Sequence, residues 1–184
     1  MTPLMTILIV GAALALAAIV IFNRLVRDRN HVRAGWSDID VQLQRRHDLI
    51  PQLVEAVRAY ADYERATLTA VTELRLQSDQ TKNLAQKARI EKQLSIGVDR
   101  LLAVAEDYPD LKANRSFLDL QKELSDTEDK LQYARRFYNG AVRSLNTRIE
   151  SFPDLVIARM FGFTQAEFFD AEDEAASVPK VEMN

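Results

Sequence analysis

Cysteine is absent from the sequence, which excludes disulfides, thiolate nucleophiles and cysteine-based zinc sites. Helix breakers are scarce, with 5 Gly and 5 Pro among 184 residues, so long stretches are free to stay helical. Histidine occurs only at His31 and His47. A carboxylate-bridged metal pair in a helical bundle needs a Glu from each of two helices and a Glu-x-x-His from each of two more. Here Asp28-x-x-His31 is the one acid-x-x-His pair, and Gln44 stands three residues before His47. Both histidines are read as ordinary surface or half-buried side chains. The chain has no Gly-rich phosphate loop, no Gly-x-Ser-x-Gly and no strand signal of any length. A net charge of −3 argues against nucleic acid as a partner. No catalytic residue, metal or cofactor is expected.

Charge of either sign is missing from Leu4 to Phe22, the run LMTILIVGAALALAAIVIF. Nineteen helical residues span about 28 Å, close to the roughly 30 Å hydrocarbon core of a bilayer. A cleaved signal peptide fits less well, because no Lys or Arg precedes the run and the run is long for such a segment. Arg24, Arg27, Arg29 and Arg33 follow it at once, with only Asp28 among them. The positive-inside bias therefore predicts a single-pass anchor in the inner (plasma) membrane, the N-terminus outside and the remaining chain cytoplasmic; a periplasmic bundle is the alternative. The same arginines suit anionic lipid headgroups, at about 1 kcal/mol each near such a surface.

Beyond the anchor, apolar residues recur at helical spacing. The clearest run is Phe117, Leu120, Leu124, Thr127, Leu131, Ala134, Tyr138, Ala141 and Leu145, whose steps alternate between three and four. That period of about 3.5 residues keeps one seam of a helix facing a partner, as in a coiled coil. Val142, Ile149 and Leu118 lie off the seam and are assigned to a second partner, either the fourth helix of the same chain or another subunit. An earlier helix carries Val32, Trp36, Ile39, Leu43, Leu49, Ile50, Leu53, Val54, Val57, Tyr60, Leu68, Val71 and Leu74. Pro51 predicts a kink or break within it, with Asp48 as cap of the second half. Trp36 and Tyr60 are read as core. A third helix over about 82–105 uses Leu84, Ala88, Leu94, Val98 and Leu101, with Glu91 as a polar exception on that face; Gly97 either weakens it or permits close approach. Tyr108-Pro109 turns the chain, and Asn114 or Ser116 caps the long helix. After it, Pro153 opens a short helix that Gly162 ends, and Thr164-Gln165-Ala166-Glu167 predicts one more capped turn. The aromatics Phe152, Phe161, Phe163, Phe168 and Phe169 are read as a plug for the end of the bundle. From Gln165 onward there are six acids against one base, which reads as a solvated tail.

Trp36-Ser37-Asp38-Ile39-Asp40-Val41-Gln42-Leu43 and Arg45-Arg46-His47-Asp48-Leu49-Ile50-Pro51-Gln52-Leu53-Val54 resemble the signature of LemA family proteins. So do Leu102 to Ala113, which includes Tyr108 and Pro109, and Ala134-Arg135-Arg136-Phe137-Tyr138-Asn139. Phe152-Pro153, Ile157-Ala158 and Phe161-Gly162-Phe163 are similar to the family's ending. His47 stands where the family pattern leads one to expect Tyr, and Leu155 near a position often polar. The resemblance implies an N-terminal transmembrane segment and an antiparallel helical bundle, and it names no reaction.

These readings combine into an all-α protein in which a single transmembrane helix continues into an elongated antiparallel four-helix bundle. Residues 1–28 are assigned to the anchor and basic juxtamembrane segment, 29–169 to the bundle and 170–184 to an acidic flexible tail. Asp38, Asp40, Asp48, Glu55 and Glu64 are expected to pair with Arg45, Arg46, Arg58, Arg135 and Arg136. The expected function is a membrane-anchored scaffold or adaptor whose partners are the lipid bilayer and either further copies of itself or another membrane protein. The alternative is a metal-dependent enzyme or regulator with a carboxylate site in the bundle.

Overall fold

The 3.5-residue spacing of the C-terminal half builds a continuous helix, Arg115–Glu150, in the computed structural model, which describes residues 3–169. Every element among the described residues is helical: α1 (Pro3–Arg58), α2 (Arg65–Gln80), α3 (Leu84–Val104), α4 (Pro109–Lys112), α5 (Arg115–Glu150) and α6 (Asp154–Met160), with 3₁₀ turns at Asp62–Glu64 and Ala105–Asp107. The predicted acidic tail, 170–184, lies outside the described residues. Among the described residues the chain forms two compact units, one from 3–37 with 136–167 and the other from 38–135 with 168–169. α1 and α5 each contribute to both.

In the larger unit one buried apolar cluster draws on five helices, α4 supplying Leu111. α1 supplies Ile50, Leu53 and Val57, α2 Leu68 and Val71, α3 Leu94 and Leu101, and α5 Phe117 and Leu124. Gly97 permits close approach, since a Cβ there would stand 2.8 Å from Val71 Cγ2. Asn83 Oδ1 accepts from Gln86 N to cap α3, and Asn114 Oδ1 accepts from Phe117 N to cap α5. Pro109 opens α4 at its first turn, where a missing N–H goes unnoticed.

In the smaller unit Leu25, Leu145, Ile149, Ile157 and Ala158 are buried together. Gly35 is buried against α5, where an added Cβ would sit 3.0 Å from Tyr138 Cα. α6 ends in a Schellman turn: Phe163 N donates to Ala158 O, Gly162 N donates to Arg159 O, and Gly162 takes a φ of 68°.

Some sequence expectations need correction. α1 does not break at Pro51. Proline removes the N–H that would bond His47 O, and Arg75 Nε of α2 donates to that carbonyl instead, at 2.8 Å. The chain does reverse around 59–64, so Leu68, Val71 and Leu74 belong to a separate helix. Periodicity is blind to such a reversal, because a helix that doubles back offers the same seam to the same core. Tyr60 is consequently exposed, its hydroxyl accepting from Asn114 Nδ2. Of the three residues off the seam, Val142 and Ile149 are buried within the chain, one of the two partners expected for them, and Leu118 stays exposed. Past Tyr138 the buried positions are Val142, Leu145 and Ile149, a four-three-four sequence that follows the 3.6-residue turn. Finally, Thr164–Glu167 forms no capped turn. Asn146 takes both backbone groups of Ala166, at 2.9 Å each, and Tyr138 Oη donates to Glu167 O at 2.8 Å. Of the aromatics read as a plug, Phe169 is buried and Phe152 is exposed.

Arg75→Ala is expected to destabilise the protein by about 1 kcal/mol, because the His47 carbonyl loses its donor. In a Pro51→Ala background, where a backbone N–H returns to take that carbonyl, urea denaturation should show a smaller loss. Equal losses in both backgrounds would refute this account of the unbroken helix.

Candidate functional site

A single α1 dipeptide, Arg46-His47, anchors a polar cluster within the core of the larger unit. Glu91 of α3 has no exposed surface, and Arg46 and His47 are each 2% exposed. Arg46 Nη2 donates to Glu91 O at 3.0 Å and lies 3.3 Å from Glu91 Oε2. Its Nη1 donates to Ser95 Oγ at 3.0 Å and to Glu128 Oε2 at 2.9 Å. One guanidinium thus ties α1 to α3 and α5, using the fork geometry that a lysine lacks. His47 completes the link to α2: Nδ1 faces Asp79 Oδ1 at 2.7 Å and Nε2 faces Glu91 Oε1 at 2.8 Å. Facing two carboxylates, only a ring carrying both protons donates to both. Ser78 Oγ donates to the same Glu91 oxygen, and Thr127 of α5 is also fully buried, its hydroxyl turned back to Glu123 O.

Burial pushes the Glu91 carboxyl up, but the His47 hydrogen bond, the Arg46 charge and the Ser78 hydroxyl together outweigh it and hold the group below its ordinary value of 4.5. The cluster therefore carries an ionised carboxylate inside an apolar core, tolerable only because its partners are present. Its one hydroxyl set against the carboxylate, that of Ser78, has no exposed surface. Among the described residues no group of three or more His, Asp or Glu converges as a metal ligand set.

A second clasp lies in the smaller unit. Asp28, 7% exposed, accepts from Arg148 Nε at 2.6 Å, and Arg148 Nη1 donates to Asp154 Oδ2 at 3.0 Å. The bond to Asp28 is the main reason that the Arg148 guanidinium is raised above its usual value. Arg148 so joins α1, α5 and α6.

The sequence-selected residues divide between the two units. Arg24, Arg27, Arg29 and Arg33 are exposed, and Arg29 lies 5.0 Å over the Phe163 ring. Trp36 meets Tyr138 edge to face at 6.0 Å; burial raises the Tyr138 hydroxyl above its usual value. Phe161 and Phe163 pack on Phe22 at 4.8 and 5.9 Å, positioned by the Gly162 turn. Arg135 stacks over Phe169 at 5.2 Å. Arg136 lines a shallow groove with Asp28, His31 and Ser144. Asn139 is half-buried, Tyr108 half-buried and Pro51 exposed.

The predicted ion pairing is corrected at three positions. Arg46 bonds Glu91 and Glu128, Asp40 lies 4.0 Å from Lys87, and Asp48 accepts from Gln44 Nε2. The expected partners of Arg46 sit on its own helix or point to solvent, whereas the guanidinium points inward. His47 is likewise buried and bonded rather than an ordinary surface histidine. Sequence reasoning missed Ser78, Asp79, Glu128 and Arg148. Glu91 did carry a signal, as the one charged residue at a seam position of its helix.

A depressed carboxylate contributes stability above its unfolded pKa and loses it as pH falls through the folded one. Denaturation curves are therefore expected to show stability falling below about pH 4.5, and Glu91→Gln should flatten that part of the profile. At neutral pH Glu91→Ala, which strands Arg46 and His47, is expected to cost about 3–5 kcal/mol.

Comparison with known proteins places these features in context. A model described as the LemA family matches residues 35–183. Protein LemA of Metamycoplasma hominis is 28% identical over 156 residues, covering 82% of this chain and 69% of that protein. Magnetosome protein MamQ 1 of Paramagnetospirillum magneticum is 25% identical over 184 residues, covering 86% of this chain and 67% of that one. Magnetosome protein MamQ of Magnetospirillum gryphiswaldense is 24% identical over the same length and coverage.

Proposed function

We propose that this chain, which belongs to the LemA family, is a membrane-anchored, non-catalytic scaffold or adaptor built on an antiparallel four-helix bundle. The observation that carries the reading is the first part of α1. It is the one helix among the described residues long and apolar enough to cross a membrane, and none of that apolar stretch is buried. Leu4, Ile7, Leu8, Leu14 and Leu16 are each more than 60% exposed. Such a surface is tolerable in lipid and adverse in water.

The cluster around Glu91 supports the non-catalytic part. Its centre, Glu91, is buried and bonded from α1 and α2, which suits it to setting how helices align. The MamQ relatives bear the name of a structure rather than of a reaction, in keeping with the same reading. The basic run Arg24, Arg27, Arg29 and Arg33 favours an inner-membrane protein with its bundle in the cytoplasm. Partners are lipid and either further copies of the chain or another membrane protein. Gly11, with no side chain within 4 Å of an added Cβ, leaves room for anchor helices to approach.

Alkaline carbonate extraction of membranes from cells making the full chain should leave it in the pellet, and a reporter fused after Asn184 should be active in the cytoplasm. Chemical cross-linking before solubilisation should capture a homo-oligomer or a membrane partner. Release by carbonate would contradict the anchor. A clean monomer in mild detergent with no co-purifying membrane protein would contradict the scaffold.

A further inference from the structure

α6 runs beside α1 at the level where the apolar stretch gives way to arginines. Asp154, at its start, is tied through Arg148 to Asp28. At its far end Phe161 lies 4.8 Å from Phe22. Phe22 and Asp28 are six residues apart on one helix, about 9 Å along its axis. α6 therefore descends toward the apolar run as α1 leaves it. It also overlaps that run, since Ala18, Ile21 and Phe22 pack against the cluster containing Ile157 and Ala158.

The inner side of α6 is used up by that packing; the outer side is not. Val156 and Met160, one turn apart on the same face, are exposed, as is Phe161 at the tip, with Met160 at 67%. Arg159 of α6 is exposed beside Met160 in the chain, and Arg24 and Arg27, just past Phe22 on α1, are exposed as well. Large exposed apolar side chains at the end of an apolar span, with exposed cations on the adjoining residues of both helices, match the headgroup–acyl boundary of a bilayer. The Gly162 turn at φ 68° reverses the chain directly after Met160-Phe161, and Phe163 beyond it packs on Phe22 as well.

We propose that the α6 tip, Met160-Phe161, is a second membrane contact that inserts into the lipid interface beside the anchor, with Arg159, Arg24 and Arg27 meeting anionic headgroups. The proposal rests on the anchoring reading above. It commits to lipid as the occupant because Phe161, half exposed, packs on Phe22, the last residue of the apolar run of α1. Insertion of roughly 5–10 Å is the depth expected of an interfacial apolar face. It also implies a gradient: Met160 lies deep, whereas Phe152, before α6 begins, lies near the Asp28 level and outside the lipid.

The absence of cysteine makes the test clean. Single variants Met160→Cys, Phe152→Cys, Leu14→Cys and Ser144→Cys of the full chain are labelled with an environment-sensitive fluorophore. They are reconstituted in vesicles of mixed zwitterionic and anionic phospholipid carrying a shallow or a deep lipid-attached quencher. The proposal expects the label at 160 to be quenched by the shallow probe, the label at 152 far less, and the label at 144 at background. Quenching at 14 should favour the deep probe. A label at 160 no more quenched than that at 144, with 14 still quenched, overturns the α6 contact alone. An unquenched label at 14 overturns the anchor and this contact together. A label at 160 shielded from aqueous iodide but indifferent to either lipid probe assigns the surface to protein, such as a second copy, and overturns the lipid assignment.

Discussion

A carboxylate with no exposed surface, Glu91, is the constraint around which the larger unit is arranged. Burying a lone charge is prohibitive, so every helix facing it must bring a partner to a fixed place. α1 brings Arg46 and His47, α2 brings Ser78, and α5 brings Glu128 to the far side of Arg46. Apolar seams alone do not supply this. A 3.5-residue stripe that slides by a heptad still buries much of its surface, whereas an ion cluster displaced by one turn leaves charges stranded. Buried ion pairs are weak sources of stability. What this one supplies is alignment.

The smaller unit works by the same logic with different residues. Arg148 holds Asp28 and Asp154 and so fixes three helices at one point. The described residues after α6, 161–169, contain no helix, and their backbone is secured by side chains of α5: Asn146 on Ala166 and Tyr138 on Glu167. Pro51 is absorbed in a related way, its orphaned carbonyl satisfied by Arg75 from another helix. In each case a long side chain from a neighbouring helix satisfies a backbone or charge that its own helix leaves unmet.

What could be read from the sequence follows from how local the cause is. Helical periodicity, the Asn114 cap, the Pro153 start and the Gly162 stop depend on residues within a few positions, and the structure reproduces them. The reversal near Tyr60 and the unbroken helix at Pro51 depend on residues distant in sequence. Arg46 illustrates the limit. Its charge is visible, but five nearby carboxylates are equally plausible partners, and only packing selects Glu91 and Glu128. Glu91 was conspicuous as a charge on an apolar face; that conflict between pattern and chemistry marked the centre of the network. Thr164–Glu167 is the converse, a local capping signal overridden by hydrogen bonds from α5.

These arrangements agree with the scaffold role proposed above. The polar core is spent on aligning helices, and the apolar start of α1 is left for lipid. The most direct test is to replace the cluster with apolar residues of similar size, Arg46→Met, His47→Leu and Glu91→Leu together, and to record thermal melts and amide NMR spectra in detergent. The account predicts a melting temperature equal to or above that of the parent, with broadened or doubled resonances from helices that have lost a single alignment. One sharp, well-dispersed set of resonances in the triple variant would contradict it.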